Sequence, residues 1–239
     1  MMPNVVDIEP ARPSLGADVP RRRRAGIGAL SGALGLVIIW CCRTALDGNI
    51  YVSAMGAAGV ATAPWFNLAL ILVAAAAILV ATALPPAQPR HRILSPWPAG
   101  ATLLASGTLF AFAAAVPCTV GCPVPFTPTS TVQDLLHVTA AALGFTAAVT
   151  AVLQVWDSST SRATRILSAT TMIVVALTAL AGAYASLTRW GGGSGGWFEF
   201  AATTVALMWI TGYGVALSRT PTRYQRSARA QTRASRWTA

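Results

Sequence analysis

An all-α, polytopic membrane bundle of six transmembrane helices, with both termini in the cytoplasm, is the fold class this sequence predicts. Three observations predict it. Of 239 residues, 54% are hydrophobic and only 10% are charged, against about 25% charged in an ordinary soluble domain. The apolar residues fall into six stretches, each long enough to cross a bilayer. The basic residues, all of them arginine, sit between those stretches on alternating sides.

Each span needs about 20 mainly apolar residues, because a helix rises about 1.5 Å per residue through about 30 Å of hydrocarbon. The first stretch runs from Ala25 to Cys42, the second from Trp65 to Leu84, and the third from Pro98 to Val116. Pro98 suits a helix start, where a missing N–H costs nothing. The fourth runs from Val132 to Val155, the fifth from Ile166 to Leu187 and the sixth from Trp197 to Leu217. Their lengths, and the lack of period-2 alternation, favour helices over strands.

Orientation follows from the arginines. Arg12 and Arg21 to Arg24 precede the first span. Arg90 and Arg92 separate spans two and three; Arg162 and Arg165 separate four and five. Six more arginines follow span six. The alternate loops hold only Arg43 and Arg189, a division of fifteen against two. By the positive-inside rule the arginine-rich side is cytoplasmic. A missed or invented span would scramble this alternation. Tryptophans agree: Trp40, Trp65, Trp190 and Trp197 mark outer ends, Trp97 and Trp156 inner ends, and Trp209 lies deeper as a packing residue.

Three regions result. Residues 1–24 are polar and proline-rich, and are expected to form a disordered cytoplasmic arm. Residues 25–217 form the membrane domain. Residues 218–239 form a basic tail whose arginines, beginning with Arg219, Arg223 and Arg226, suit anionic lipid headgroups. Arg21 to Arg24 followed by an apolar run resemble a signal peptide, but no small-x-small cleavage site follows Trp40 and the run is long, so the span is expected to stay. A net charge of +10 and a pI near 11.0 could suggest nucleic acid. The placement of the arginines between spans argues against it, so no nucleic-acid partner is expected. The expected partners are membrane lipids and a protein partner or second copy. Gly28 and Gly32 form a G-x-x-x-G step that serves either close packing within the bundle or a homodimer face; Gly144 and Gly182 mark spans four and five. A multi-pass protein of the plasma membrane is the expected localisation. The alanine-rich, lysine-free composition points to a bacterium of high genomic GC content.

Few ionisable residues remain in or near the spans, where they are costly and default to functional roles. Asp47, Asp134, His137 and Glu199 all fall on the predicted outer side, giving a candidate binding cluster. Each has a structural alternative. Asp134 lies three residues after Thr131, a capping-box spacing. Glu199 stands in the first turn of span six, where the helix dipole favours an acid. Asp47 precedes Gly48, a turn signal. His137 is three residues beyond Asp134, on the same helix face. Asp134 and His137 with Asp47 or Glu199 could supply three metal ligands. With one histidine on that side, no metal is assigned and no cofactor is expected.

Cys118 and Cys122 frame the loop before span four, and facing an oxidising compartment they are a candidate disulfide. Cys41 and Cys42 end span one on the same side, as buried free thiols or as partners of the loop cysteines. No phosphate-binding, dinucleotide-binding, zinc-protease or nucleophile-elbow motif occurs, so no catalytic residue is assigned.

The six spans, the first outer loop from Asn49 to Gly59 with its Tyr51-Val-Ser53-Ala-Met-Gly56 core, Pro64-Trp-Phe-Asn67 at span two, and Asp134-x-x-His137 together resemble a known group. It comprises the damage-regulated autophagy modulators (DRAM) and their uncharacterised prokaryotic relatives. The matching stretch is about Ile27 to Leu217. The resemblance implies an outer-face pocket, such as one for a lipid, and no particular reaction. Three functions are carried forward. The first is a lipid- or partner-binding accessory protein using the outer-face cluster. The second is a membrane-embedded lipid hydrolase or lipid-modifying enzyme with His137 as base or metal ligand. The third is a structural subunit of a larger membrane complex.

Overall fold

Residues 18–48, 50–85, 89–94, 96–123, 125–188 and 195–220 are described by a computed structural model. They form six α-helices: α1 (Asp18–Thr44), α2 (Ala63–Ala83), α3 (Ala99–Ala115), α4 (Val132–Ser158), α5 (Arg162–Thr188) and α6 (Gly195–Arg219). Single 3₁₀ turns at Ser53–Gly56 and Arg92–Leu94 interrupt two connections, and no strand occurs among the described residues. Five helices are long and apolar enough to cross a membrane, which marks a multi-pass membrane protein. The exception is α3, whose 17 residues rise about 25 Å.

Consecutive helices pack side by side, and α1 returns to α6 to close the ring. Among consecutive pairs, α4 and α5 touch least. The core gathers on α2, where Phe66, Ala69, Val73, Ala76, Ala77 and Val80 are buried against α1, α3 and α6. Large apolar residues face outward elsewhere: Leu30 and Val37 on α1, Leu143 on α4, and Ile173, Leu177 and Leu180 on α5. Water would not tolerate that surface as one continuous belt; lipid does.

Close helix approach explains the small residues. A Cβ on Gly28 would stand 3.0 Å from Val80 Cγ2 and 3.2 Å from the Ala76 carbonyl; one on Gly32 would stand 2.9 Å from Thr211 Oγ1. The G-x-x-x-G step is therefore packed against α2 and α6 of the same chain, the close-packing alternative of the two. Gly144 packs on Phe110 of α3 and Gly182 on Phe198 of α6 in the same way. Buried polar groups tie further pairs: Ser106 Oγ donates to the Gly144 carbonyl at 2.9 Å, and Trp209 Nε1 to Ser168 Oγ at 3.0 Å. Trp209 is buried and stacked on Tyr213, a packing residue as expected.

One boundary is corrected. The arm was expected to run to residue 24, but α1 begins at Asp18 and takes in Arg21 to Arg24. The physical reason is capping. Arg21 Nε donates to the Ala83 carbonyl at the end of α2, and Arg22 Nε donates to the Ser218 carbonyl at the end of α6 at 2.8 Å. The last carbonyls of a helix lack internal partners and carry partial negative charge, so guanidinium groups settle there. Residues 1–17, Arg189, Trp190, Arg223 and Arg226 lie outside the described residues; Arg219 ends α6 and is exposed.

At the same end, the connection from α2 to α3 is pinned to α4. His91 places Nδ1 2.6 Å from Asp157 Oδ1 and donates its backbone N–H to Oδ2 at 2.9 Å. Gln154 Nε2 donates to the carbonyls of Leu94 and Trp97. The sequence pattern offered no reason to pair these residues across 66 positions.

Candidate functional site

The polar residues singled out above gather at the opposite end, around the loop that carries the cysteines. Thr131 has extended backbone and caps α4. Its hydroxyl accepts the Asp134 N–H at 3.2 Å while Asp134 Oδ2 accepts the Thr131 N–H at 2.9 Å, a complete capping box. Asp134 does more than cap. Its Oδ1 accepts the Thr119 N–H at 2.7 Å, and the hydroxyls of Thr119 and Thr131 donate to the same carboxylate. Fully buried, it is a clasp between the cysteine loop and the start of α4.

His137, one turn on, is buried and points at the end of α3. Its Nδ1 lies 2.9 Å from the Ala113 carbonyl and 2.8 Å from that of Val116. Two acceptors on one nitrogen require Nδ1 to carry a proton; in the neutral ring the lone pair is then on Nε2. Glu199 reaches from the first turns of α6 to the first loop, where Oε2 accepts the Val52 N–H at 2.9 Å.

Of the four predicted cluster residues, the fold brings His137 and Glu199 to the wall of one cavity. Asp134 lies adjacent but is committed to Thr119 and Thr131. Asp47 is not brought in: it is exposed, in a turn where Gly48 takes a φ of +82° and Arg43 donates to the carbonyls of Leu46 and Gly48. The Asp-Gly turn signal outweighed the charge.

Cys118 and Cys122 are joined in a disulfide, and Cys41 and Cys42 are free thiols. Cys42 is buried as expected, whereas Cys41 is exposed. Closing a five-residue loop is worth about 2 kcal/mol by chain entropy, less than the clasp made by Asp134. A ring nitrogen of His137 and both sulfurs lie within 4.8 Å of one another. The metal set considered from sequence, Asp134 and His137 with a further carboxylate, is not assembled, because the Asp134 oxygens already accept four donors. Of the residues named for a hydrolytic centre, His137 and Glu199 share a cavity wall, while Asp134 is engaged by Thr119 and Thr131 and one Glu199 oxygen accepts the Val52 N–H.

Two cavities share this wall. A cleft of about 690 Å³ runs between α4 and α5, along Ala142, Thr146 and Val149 on one wall and Ala176, Ala179 and Gly182 on the other. Behind it a chamber of about 90 Å³ extends between Phe110, Phe145, Met172 and Leu207. His137, Ser53, Ala141 and Glu199 line both. Polar groups concentrate at one end of the cleft, where Tyr51 and Ser53 join His137 and Glu199; along the walls of α4 and α5, apolar side chains alternate only with threonines. Thr203 Oγ1 is a buried hydroxyl on the chamber wall that lacks a hydrogen-bond partner among the described residues. Tyr51 and Ser53 were visible in sequence only as part of the Tyr51-x-Ser53 segment. The cleft was not visible, since it depends on how α4 and α5 are rotated.

Fold and site together define a multi-pass helical membrane protein with a cleft on its flank that is polar at one end and apolar beyond. No family model, curated protein or solved structure matches the chain.

Proposed function

We propose that this chain is a six-span protein of the plasma membrane, with both termini in the cytoplasm, that binds a lipid-like amphiphile in the α4–α5 cleft. The observation that carries the reading is the cleft itself. Its volume falls within the range of about 300–1,000 Å³ usual for ligand sites. Its shape matches an amphiphile: a polar head meets Tyr51, Ser53, His137 and Glu199, and a hydrocarbon chain lies along α4 and α5. Lipid tails reach such a cleft from the side, without crossing water.

Six spans rather than five follow from the arginines and from α3. If α3 did not cross, α4, α5 and α6 would reverse and the fifteen-to-two division would be lost. Tilt and local thinning accommodate a short apolar helix at modest cost. A green fluorescent protein fused to the C-terminus is then expected to fluoresce, and alkaline phosphatase inserted after Gly121 to be active. The opposite pair of results would sink the topology. The resemblance to DRAM-like proteins belongs to the same reading, through Tyr51, Ser53 and His137 at the polar end.

The test of function fills the cleft. Ala142 and Ala179 face it from opposite walls and are exposed in the bare protein. Ala142→Trp/Ala179→Trp is expected to remove most of the lipid that copurifies with the wild-type chain, read by native mass spectrometry from a mild detergent. The bundle should survive, because neither side chain is in the core. Unchanged lipid mass and stoichiometry in the double variant would defeat the proposal.

A further inference from the structure

We propose that Cys118, Cys122 and His137 form a redox-gated site for a thiophilic closed-shell ion, Cu(I) or Zn(II), which opens when the disulfide is reduced. The three side chains are buried together, with both sulfurs and a ring nitrogen within 4.8 Å of one another. Two thiolates and an imidazole are donors that soft and borderline ions select. Three such ligands satisfy trigonal Cu(I), or Zn(II) with one open position.

Two features make this more than proximity. The first is His137. A metal-binding histidine almost always donates its other ring N–H to a carbonyl or carboxylate, which fixes ring and tautomer. His137 has that arrangement in place: Nδ1 is held by the carbonyls of Ala113 and Val116, which leaves Nε2 of the neutral ring as the nitrogen an ion would take. The second is that the sulfurs stay near it without the S–S bond. The Cys118 carbonyl accepts the Ala58 N–H at 2.9 Å, and Thr119 is bound to Asp134. Gln133 Nε2 donates to the Pro117 carbonyl, and the Cys122 N–H donates to the Thr119 carbonyl at 2.9 Å. Reduction therefore frees two thiols while the loop stays pinned.

The gating step balances with a dithiol as reductant. Its thiolate attacks Sγ of Cys122, a residue of the cleft wall, and expels the Cys118 thiolate. Its second thiol then displaces Cys122 Sγ. The reductant leaves as a disulfide, oxidised by two electrons, and the pair is left as two thiols. Binding the ion releases their two protons to solvent. The disulfide form of such a dithiol reverses the exchange: it takes back the two electrons and leaves as the dithiol, the Cys118–Cys122 bond re-forms, and the ion departs with its thiolate ligands gone.

The experiment uses the full chain in detergent with Cys41→Ser and Cys42→Ala, so that only the loop cysteines remain. After anaerobic reduction and removal of the reductant, the protein is titrated with Cu(I) and, separately, Zn(II) against a chromophoric chelator. One ion per chain is expected for at least one of the metals, with thiolate-to-metal charge-transfer absorption in the Cu(I) arm. The air-oxidised form of the same protein, which needs no further substitution, is expected to bind neither. His137→Gln is expected to weaken binding by at least the roughly 10–100-fold that loss of an outer-shell partner costs, since it removes a ligand outright, and Cys118→Ser/Cys122→Ser to abolish it. Equal binding by reduced and oxidised protein, or no stoichiometric binding of either metal after complete reduction, overturns the proposal. Binding unaffected by His137→Gln removes the histidine from the site and overturns it equally. The metal readout is ion stoichiometry on the reduced chain and the lipid readout is copurifying mass in a variant that leaves Cys118, Cys122 and His137 unchanged, so this inference and the proposed function can fail separately.

Discussion

Asp134→Ala is expected to lower the stability of the bundle by about 3–5 kcal/mol, since removing a buried group that satisfies several donors leaves each of them unpaired at about 1–3 kcal/mol. The donors are specific: the N–H groups of Thr119 and Thr131 and both threonine hydroxyls. The hydroxyls can rotate toward other acceptors, but the two N–H groups are fixed by the backbone. The capping component alone is worth about 1 kcal/mol; the rest is the tie to the cysteine loop. Asp134→Asn separates the two. It keeps one oxygen for either N–H but turns an NH₂ toward the other, so about half the loss is expected. Denaturant midpoints in detergent measure the totals. Hydrogen exchange at the Thr119 and Thr131 amides measures the local effect and should rise for both in Asp134→Ala. A loss under 1 kcal/mol with unchanged exchange would show that the clasp contributes nothing.

That role was half legible in the sequence. Thr131 and Asp134 stand at capping-box spacing, a local signal that local geometry honoured. The contacts to Thr119 span fifteen positions and a loop, and nothing in the residue order announces them. The same boundary runs through the whole molecule. Helix positions were readable because a bilayer selects apolar stretches by length, and all six predicted stretches lie on observed helices, to within a few residues except at the start of α1. The Cys118–Cys122 pair was readable because the predicted topology put both cysteines in one short loop on the oxidising side. Helix rotation was not readable. These spans are rich in alanine, with nearly uniform hydrophobicity around the axis, so no stripe declares which face meets which neighbour. The pairing of His91 with Asp157 and the opening between α4 and α5 both depend on rotation. Arg21 to Arg24 misled for a related reason: a run of charge reads as solvated arm, yet two of its members close the carbonyl ends of other helices.

Glycines carry the rotational information that hydropathy lacks, and this gives the second large effect. Gly107 on α3 is buried where a Cβ would stand 2.9 Å from the Ala74 carbonyl, 2.8 Å from Ile78 Cγ1 and 3.1 Å from Ala77 Cβ of α2. One of these neighbours is backbone and another is the first atom of a side chain, so they yield only if the helices separate. Gly212 on α6 is the counterexample, exposed and with nothing within 4 Å of its would-be Cβ. Both sit inside helices, so Leu gains the same helical propensity at each, about 0.8 kcal/mol over Gly. Gly212→Leu is therefore expected to be neutral or slightly stabilising. Gly107→Leu is expected to cost more than about 3 kcal/mol, at or above the upper end for overpacking, because it parts α2 from α3 and strains the Ser106–Gly144 bond between α3 and α4. Unfolding in mixed micelles with increasing SDS ranks the two against wild type. If both variants unfold at the wild-type midpoint, α2 and α3 are not in contact through Gly107, and the packing order of the helices fails with it.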